Sequence, residues 1–320
     1  MKAVVHAPSN IAFIKYWGRK DEELRLPENG SISMCLSNLT TTTTVEFDES
    51  RADDEIVING TREPSETSRA VSHLDRIRKR AGISYKAKVI STNNFPTGTG
   101  LSSSASGFAA LTLAACAASG LQLSEKELSI IARQGSGSAC RSIPDGFVEW
   151  LDGDTSESSY AVSLYPPNYW DITDIVAVVS ENRKDVTTSM GMKRFGSSPF
   201  ANVRVAGMKQ KLAEIKDALA KKDFTKFGEI TEAEALNMHA VMITSSPSLL
   251  YWTPGTLQLM KLVKRWRSEG FEVYFTINTG QDIHLLVENT NKEQIMKKLS
   301  SLDFVKDVIV NRPSIGARLA

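Results

Sequence analysis

The sequence predicts a mixed α/β protein of two domains. The chain has 320 residues, and a typical domain has roughly 100–200, so the length favours about two domains that each bury a core. Strand patterns dominate the first half, whereas helix and strand patterns alternate in the second half, which indicates a layer of helices on one sheet. The predicted domains are 1–182 and 183–320, because a polar stretch at 181–191 follows an apolar run.

The composition excludes several classes of protein. Hydrophobic residues make up 41% and charged residues 23%, which is typical of a folded globular protein and not of a disordered or fibrous one. Lys and Arg number 38 against 37 acids, so the basic excess that drives nucleic-acid binding is missing, and we expect no nucleic-acid partner.

Membrane proteins, disulfide scaffolds and structural zinc sites are also disfavoured. The start of the chain becomes polar too early for a signal peptide, and no run of about 18 apolar residues occurs, so we expect a cytoplasmic protein without a membrane partner. Cys35, Cys116 and Cys140 form no Cys-x-x-Cys pair. They are therefore predicted to be small core residues, and neither disulfides nor zinc ligands.

In the first half, the β-branched run 40–47 predicts a strand, and 87–90 predicts a second one. The stretch 108–115 is uncharged and rich in Ala and Leu, which favours a buried helix.

In the second half, periodicity predicts strands and amphipathic helices in alternation. The predicted strands are 175–179, 272–277, 283–288 and 305–310; the predicted helices are 203–222, 224–239, 256–269 and, near the end, 292–300. Gly270 follows the third of these helices, as expected for a helix end.

The strongest local motif is the Gly- and Ser-rich loop from Pro96 to Ser106, which leads into the predicted helix. Glycines let a ligand approach the backbone, and a helix N-terminus attracts anions, so the motif predicts phosphate binding. It is neither a Walker A loop nor a strict Gly-x-Gly-x-x-Gly motif. A flexible linker is the alternative, but the absence of charge from Gly98 to Leu123 argues against it.

Two further segments combine cations with small or aromatic residues. In 135–142, Arg141 lies among Ser and Gly residues, where a guanidinium could bind a carboxylate or phosphate. Segment 8–20 carries Lys15, Tyr16 and Arg19. The alternatives are a turn with a surface arginine and a strand that ends in a solvated basic turn.

Together these segments resemble the mevalonate diphosphate decarboxylase family of the GHMP kinase superfamily. The resemblance rests on NIAFIKYWG at 10–18, NNFPTGTGLSSSA at 93–105, and GSGSACRS at 135–142 followed by GFVEW at 146–150. Weaker similarity at 190–192 and 237–240 extends it through nearly the whole chain.

The resemblance implies a GHMP kinase-like fold, with a strand-rich N-terminal domain that carries the phosphate-binding loop and a C-terminal domain of helices on a sheet. It implies ATP as co-substrate, Mg²⁺, a small phosphorylated mevalonate as substrate, and a homodimer. The family phosphorylates the 3-hydroxyl of the substrate and then expels phosphate and carbon dioxide.

The matched motifs also imply residue roles. The ATP-binding residues would be Asn93, Asn94, Pro96, Gly98, Gly100, Leu101, Ser102, Ser103 and Ser104, with Ser104 also on Mg²⁺. The substrate-binding residues would be Tyr16, Arg19, Ser136, Gly137, Ser138 and Met192. Lys15 and Arg141 would orient the substrate and offset developing charge.

One departure from the family concerns the acid near the 3-hydroxyl. The family usually has Asp in an Asp-Ala-Gly-Pro-Asn motif, whereas this chain has Asn278 there, and a carboxylate follows at Asp282. Because an amide does not take up a proton at neutral pH, the prediction is that Asp282 supplies the functional carboxylate. The alternatives are that Asp282 only caps a turn, or that phosphoryl transfer proceeds without a base.

A second departure concerns the phosphate tail. Arg19 replaces a usual lysine, Asp145 adds negative charge, and Ser189 stands where some bacterial members have arginine. The changes at Asp145 and Ser189 favour 5-phosphomevalonate as substrate, with isopentenyl phosphate as product. The alternatives are the 5-diphosphate, a mevalonate 3-kinase that does not decarboxylate, and a non-catalytic nucleotide-binding protein.

Overall fold

The computed structural model describes residues 1–96, 98, 100–180, 182 and 184–320. Thr97 and Thr99 of the predicted phosphate loop, and Glu181 and Arg183 at the predicted domain boundary, lie outside the described residues. The described chain forms a seven-stranded sheet, a four-stranded sheet and a two-stranded ribbon, with helices packed on the two larger sheets.

The strands are β1 (Lys2–Ile14), β2 (Arg19–Asp21), β3 (Leu26–Pro27), β4 (Ser31–Asp48), β5 (Glu55–Ile58), β6 (Lys86–Asn93), β7 (Phe147–Trp150), β8 (Ala161–Tyr165), β9 (Ile172–Val178), β10 (Val273–Thr276), β11 (Ile283–Glu288), β12 (Asp307–Asn311) and β13 (Arg318–Leu319). The helices are α1 (Pro64–Ala81), α2 (Ser103–Ala118), α3 (Glu125–Gly135), α4 (Thr188–Met192), α5 (Ala201–Lys221), α6 (Phe224–Ile243), α7 (Pro254–Ser268) and α8 (Lys292–Ser300). Short 3-10 helices lie at 137–142, 195–197 and 289–291.

The large sheet belongs mainly to the first half of the chain. Its order is β13-β1-β4-β6-β5, and β7 joins β4 to β8. The threonine run forms the second half of β4, where buried and half-buried positions alternate because successive side chains point to opposite faces. The predicted strands at 40–47 and 87–90 are confirmed within β4 and β6.

Helix α2 covers this sheet. Its residues are apolar on all sides, and most of them are buried between the sheet and the neighbouring helices α1 and α3. The predicted buried helix is therefore confirmed. Helices α1 and α3 are not among the predicted elements, although Pro64 at the start of α1 and a left-handed Gly82 after it are ordinary end signals.

The smaller sheet has the order β10-β11-β9-β12, with all neighbours antiparallel. The predicted alternation of helices and strands in the second half is confirmed by α5 to α8 and β10 to β12. Strand β9 hydrogen-bonds into this sheet, so the chain has entered the second sheet by Ile172, before the predicted boundary at 182/183. The apolar run alone does not reveal which sheet a strand joins.

The two halves share a core where β1 ends. Phe13 on β1 packs edge-to-face against Phe227 on α6, with ring centroids 4.7 Å apart. All three cysteines are buried, as predicted. In the part of the chain described here, no helix has the length and apolar character needed to cross a bilayer.

Candidate active site

The phosphate-binding motif lies at the N-terminus of α2. Ser102 precedes the helix in the left-handed conformation, with φ of 59°, and no side chain caps the helix N-terminus. The first turn contains no acidic residue, and Ser104 is exposed there. The helix dipole and the backbone N–H groups at this end thus form a site for an anion such as phosphate.

The motif loop closely approaches the turn after β10. Gly100 has φ of +114°, and a Cβ there would lie 2.6 Å from the Cα of Gly280. Both observations require glycine at position 100. The backbone N–H of Lys184 also donates to the carbonyl of Gly98 at 3.2 Å, so a second segment from the latter half of the chain closes over the loop.

Asn278 lies at the centre of the site. Its Oδ1 accepts from Lys15 Nζ at 3.0 Å, and its Nδ2 donates to Ser102 Oγ at 3.0 Å. Lys15 Nζ also donates to the carbonyl of Ala12 at 2.7 Å. Burial holds the pKa of Lys15 well below its usual value. Lys15 from the first motif and Ser102 from the second thus bond the same side-chain amide, that of Asn278.

His239 supports Asn278 from α6. Its Nε2–H donates to the carbonyl of Asn278 at 2.9 Å, and its ring packs on Trp252 with centroids 4.8 Å apart. Burial lowers the pKa of His239 to about 3, so the imidazole is neutral at neutral pH. The weak motif at 237–240 contained this residue, but the sequence did not reveal what His239 contacts.

Asp282 is placed differently from Asn278. It is buried immediately before β11, and its Oδ1 accepts the backbone N–H of Val179 at 3.1 Å. Asn278 occupies the position beside Lys15, so the four-residue separation in sequence sends these two side chains to different surroundings. The catalytic role of Asp282 stays a prediction.

Arg141 is buried, and in the described part of the chain its guanidinium donates to neutral side chains. Its Nη1 donates to Ser31 Oγ at 2.8 Å and its Nη2 to Asn10 Oδ1 at 3.2 Å. Its Nε is buried without a hydrogen-bond partner in the described part of the chain. Burial lowers the pKa of Arg141, yet the guanidinium remains charged and available to an anionic ligand.

Three of the predicted substrate residues lie near Tyr16: Arg19, Gly137 and Met192. The Tyr16 hydroxyl accepts from Arg19 Nε at 2.8 Å, and its ring packs edge-to-face on Trp150 at 4.5 Å. A Cβ at Gly137 would lie 2.6 Å from the Tyr16 ring, so this position requires glycine. Met192 is buried in the same cluster.

The serines of the third motif connect the two predicted sites. Ser136 Oγ lies 3.4 Å from Ser104 Oγ at the N-terminus of α2. Ser138 is half-buried, and its carbonyl accepts from Asn10 Nδ2 at 3.2 Å. The structure therefore brings Ser136, predicted to bind substrate, next to Ser104, predicted to bind ATP.

A cluster of arginines borders Tyr16. Arg25 Nε donates to the carbonyl of Gln134 at 2.9 Å. Burial, together with the charges of Arg19, Arg69 and Arg76, lowers the pKa of Arg25 to about 10. These four arginines, Arg19, Arg25, Arg69 and Arg76, form a guanidinium cluster. Sequence reasoning identified only Arg19, because the other three come from a turn and from α1, where no motif marks them.

The guanidinium cluster keeps a net positive charge. Glu22 pairs with Arg19 at 2.5 Å, and Glu66 offsets part of the charge of Arg69. The four cations outnumber these two acids, which makes the cluster a site for an anionic group.

A cavity between the sheet and helices α1 and α2 continues from the phosphate-binding motif. Its lining is largely apolar and also carries hydroxyl and amide groups, a combination that suits a flat base attached to phosphates. The lining includes Ile56, Ile58, Arg69, Val89, Asn93, Ser103, Ser104, Phe108 and Leu111. The sequence predicted only the polar part, since the apolar part is assembled from separate strands and the unpredicted α1.

The remaining predicted ATP residues differ in their placement. Asn93 lines the cavity, and its Oδ1 accepts from Thr41 Oγ1 at 2.5 Å. Asn94 is bound to β4 at both ends of its amide, where it accepts from the Thr40 N–H at 2.8 Å and donates to the Asn38 carbonyl at 3.1 Å. Leu101 is buried, and Pro96 is exposed. Asn94 thus holds the loop to the sheet.

Lys184 is a further cation that sequence reasoning missed. Its Nζ donates to the carbonyl of Thr279 at 2.9 Å and to Thr188 Oγ1 at 2.8 Å. Burial lowers its pKa to about 8. Lys184 therefore bonds the residue that follows Asn278, at the place where the loop meets the turn after β10.

The two residues that favoured a monophosphate substrate are now placed. Asp145 accepts from Arg318 and from the Gly316 N–H at 2.7 Å. Its charge is therefore offset by a cation, and the repulsion expected from it is weakened. Ser189 is half-buried in α4.

No group of three or more His, Cys, Asp or Glu side chains that could hold a metal ion is found among the described residues. The hydroxyl groups at the start of α2 are hard oxygen ligands of the kind that Mg²⁺ accepts together with phosphate oxygens.

Family models match both halves of the chain. Residues 7–161 match the diphosphomevalonate decarboxylase-like N-terminal domain, and residues 174–311 match the mevalonate 5-diphosphate decarboxylase C-terminal domain. The diphosphomevalonate decarboxylase of Candida albicans is 36% identical, over 93% of this chain and 87% of the relative. The human diphosphomevalonate decarboxylase is 34% identical, over 86% and 74% respectively.

Solved structures agree with this assignment. The mevalonate diphosphate decarboxylase of Staphylococcus aureus has a TM-score of 0.95 and 38% identity, and covers 100% of this chain and 98% of its own. A complex of the enzyme designated MDDEF with MVAPP, AMPPCP and magnesium has a TM-score of 0.94 and 39% identity, with 100% and 99% covered. The predicted family and fold are thereby confirmed: the chain belongs to the diphosphomevalonate decarboxylase family of the GHMP kinase superfamily, and it is an ATP-dependent carboxy-lyase.

Proposed function

We propose that this protein is a diphosphomevalonate decarboxylase. In the proposed reaction, ATP transfers its γ-phosphoryl group to the 3-hydroxyl of 5-diphosphomevalonate, the hydroxyl proton is released, and ADP forms. The C3–O bond then breaks and its electron pair leaves with phosphate. The C1–C2 bond of the substrate breaks to release carbon dioxide, and its electron pair forms a double bond between the former C2 and C3, which gives isopentenyl diphosphate.

The observation that carries this proposal is the contact of Lys15 and Ser102 with one residue, Asn278. Ser102 marks the end of α2 where phosphate groups would bind, and Lys15 is the buried cation that would face the substrate. Phosphoryl transfer depends mainly on positioning and on offsetting charge. This arrangement places both functions within one hydrogen-bonded group.

ATP fits the cavity on α2. Its base would lie against Ile56, Ile58 and Phe108, and its phosphates would meet the N–H groups at the start of the helix. Ser103 or Ser104, with the phosphate oxygens, would hold Mg²⁺, which offsets the phosphate charge. The MDDEF complex with AMPPCP and magnesium supports this co-substrate and this ion.

The diphosphate is the preferred substrate in this proposal. The curated relatives are diphosphomevalonate decarboxylases, which supports the alternative in the sequence prediction over the monophosphate. The guanidinium cluster beside Tyr16 supplies positive charge for a diphosphate tail, and Arg318 offsets Asp145. Arg141 and Lys15 would hold the other end of the substrate, where its carboxylate and 3-hydroxyl lie.

Asn278 would orient the 3-hydroxyl through its amide and would not take its proton. The sequence predicts Asp282 as the source of a catalytic carboxylate; in this proposal Asp282, which accepts the Val179 N–H, is given a mainly structural role. The amide at 278 also favours a second candidate function, a mevalonate-derivative 3-kinase that stops after phosphorylation. The homodimer and the cytoplasmic location stay predictions.

One assay tests the proposal. The purified protein is incubated with ATP, Mg²⁺ and, in turn, mevalonate, its 5-phosphate and its 5-diphosphate, while ADP and carbon dioxide are followed separately. We expect equal amounts of ADP and carbon dioxide, with kcat/KM for the diphosphate at least about tenfold above that for the monophosphate. ADP without carbon dioxide would indicate the kinase, a reversed preference would restore the monophosphate, and no ADP with any substrate would leave a nucleotide-binding protein.

A further inference from the structure

Lys15 lies one residue beyond the end of β1, and side chains hold its backbone. Its N–H donates to Glu234 Oε1 at 3.3 Å. Its carbonyl accepts from Arg204 Nη2 at 3.0 Å and from Asn29 Nδ2 at 3.0 Å. Glu234 lies on α6 and Arg204 on α5, so the helices of the second half fix the peptide groups that direct the Lys15 side chain.

The two helical residues form a buried ion pair. Glu234 Oε1 lies 2.6 Å from Arg204 Nη2, and both side chains are fully buried. Lys211 Nζ, which is partly exposed, lies 2.9 Å from the other carboxylate oxygen. Arg204 Nη1 also donates to Asn237 Oδ1 at 2.7 Å. A buried ion pair contributes little net stability because both charges lose their hydration, so its geometry points to a positioning task.

We propose that Glu234 and Arg204 are positioning residues for Lys15: they fix its backbone from α5 and α6, and Glu234 supplies the buried negative charge that keeps the lysine protonated during turnover. The inference rests on the proposed function only in the role given to Lys15 at the substrate. Neither residue is assigned contact with a reacting atom.

The sign of the charge effect follows from the surroundings of Lys15. The charged and titratable groups around it are Glu234 and His239 on α6, Arg204 on α5, Arg141 in the 3-10 helix 137–142, and Asp174 on β9. Burial lowers the pKa of Lys15, and Glu234 opposes this effect most strongly. Without the Glu234 charge, the two guanidiniums favour the neutral form of Lys15, and the weaker effect of Asp174 opposes them.

The first test is the pH profile of kcat for Glu234→Gln. Glutamine keeps an oxygen that can accept the Lys15 N–H but removes the charge. Activity requires protonated Lys15, so kcat falls as pH rises through its pKa, and we expect this alkaline limb to move at least one pH unit lower. The matched control is Glu232→Gln, on the same helix, because Glu232 is buried, pairs with Arg267 at 2.7 Å and accepts the Phe275 N–H at 3.4 Å. It should leave the limb in place.

A second variant separates position from charge. Glu234→Asp keeps the carboxylate but shortens its reach to the Lys15 N–H, so kcat should fall about tenfold with the limb unmoved and KM for ATP within twofold, while Glu232→Asp retains kcat. This variant keeps the test open if Glu234→Gln does not fold.

A third measurement does not depend on turnover. The Lys15 ammonium is titrated by ¹⁵N NMR, with its signal assigned from Lys15→Met, and should titrate at lower pH in Glu234→Gln than in the wild type. Failure of the proposed function would appear as missing carbon dioxide in the wild type and would leave this arm intact. A wild-type limb and titration in Glu234→Gln, or wild-type kcat in Glu234→Asp, would overturn the inference.

Discussion

Two buried arginines that act on the charge of Lys15 are bonded in opposite ways. Arg141 donates to the neutral oxygens of Ser31 and Asn10, and its charge is available to a ligand. Arg204 is paired with the carboxylate of Glu234 at 2.6 Å. A buried charge with neutral partners suits binding of an anion, whereas a buried charge with an ionic partner suits support of the scaffold.

The largest effect is expected at Arg141, the arginine whose partners are neutral. Arg141→Lys should lower kcat at least about 100-fold while ATP binding and the circular dichroism spectrum stay normal, because an ammonium does not reproduce the planar fork of a guanidinium. Arg204→Lys is the counterpart and should lower kcat less than Arg141→Lys does, because Arg204 acts only through the Lys15 backbone. Near-normal turnover in folded Arg141→Lys would return this residue to a structural role.

The next largest effect is expected at Asn278, whose side chain bonds both Lys15 and Ser102. Asn278→Ala removes the amide that bonds Lys15 and Ser102, and should lower kcat about tenfold or more. Asp282→Asn should lower kcat less and thermal stability more, because its carboxylate bonds the Val179 N–H. Steady-state kinetics and Tm of both variants decide the matter. If Asp282→Asn loses about 100-fold in kcat with unchanged Tm, Asp282 is the functional carboxylate that the sequence predicts.

A smaller effect is expected at the start of α2. Ser103→Ala and Ser104→Ala should each raise KM for ATP by up to about tenfold, since each loses a hydrogen bond to a charged phosphate or a magnesium ligand. Their KM for the mevalonate substrate should stay within about twofold. Ser102→Ala should resemble Asn278→Ala in kcat, because Ser102 bonds the amide. Nucleotide titrations that match the wild type in all three variants would argue against phosphate binding by this loop.

The smallest effect is expected at His239 and concerns the stability of the fold. The pKa of His239 is about 3 when folded and 6.5 when exposed, so its contribution to stability is complete above pH 6.5 and is lost as the pH falls. At pH 5 this residue should cost about 2 kcal/mol of the free energy of unfolding relative to pH 7. Urea unfolding at several pH values measures the slope, which should become shallower in His239→Gln. An unchanged slope would exclude this account.

Much of the site could be predicted because each of the three motifs is a continuous stretch of sequence. The glycines and serines before α2 create an anion site by local geometry, which needs only a left-handed turn and a free helix N-terminus. Lys15 and Arg141 were identified in the same way, from cations set among small residues and aromatics. Their mutual placement was not derivable from these motifs, since it depends on how β1 meets α6.

What the sequence by itself determined is the family, the order of most elements, and the residues whose chemistry is local: the loop before α2, Lys15 and Arg141. Only the tertiary structure decided which amide or carboxylate stands beside Lys15, that Arg318 offsets Asp145, and that Glu234 and Arg204 hold the Lys15 backbone. The physical reason is that charge interactions depend on distance and burial, and the partners in these pairs lie more than 150 residues apart along the chain.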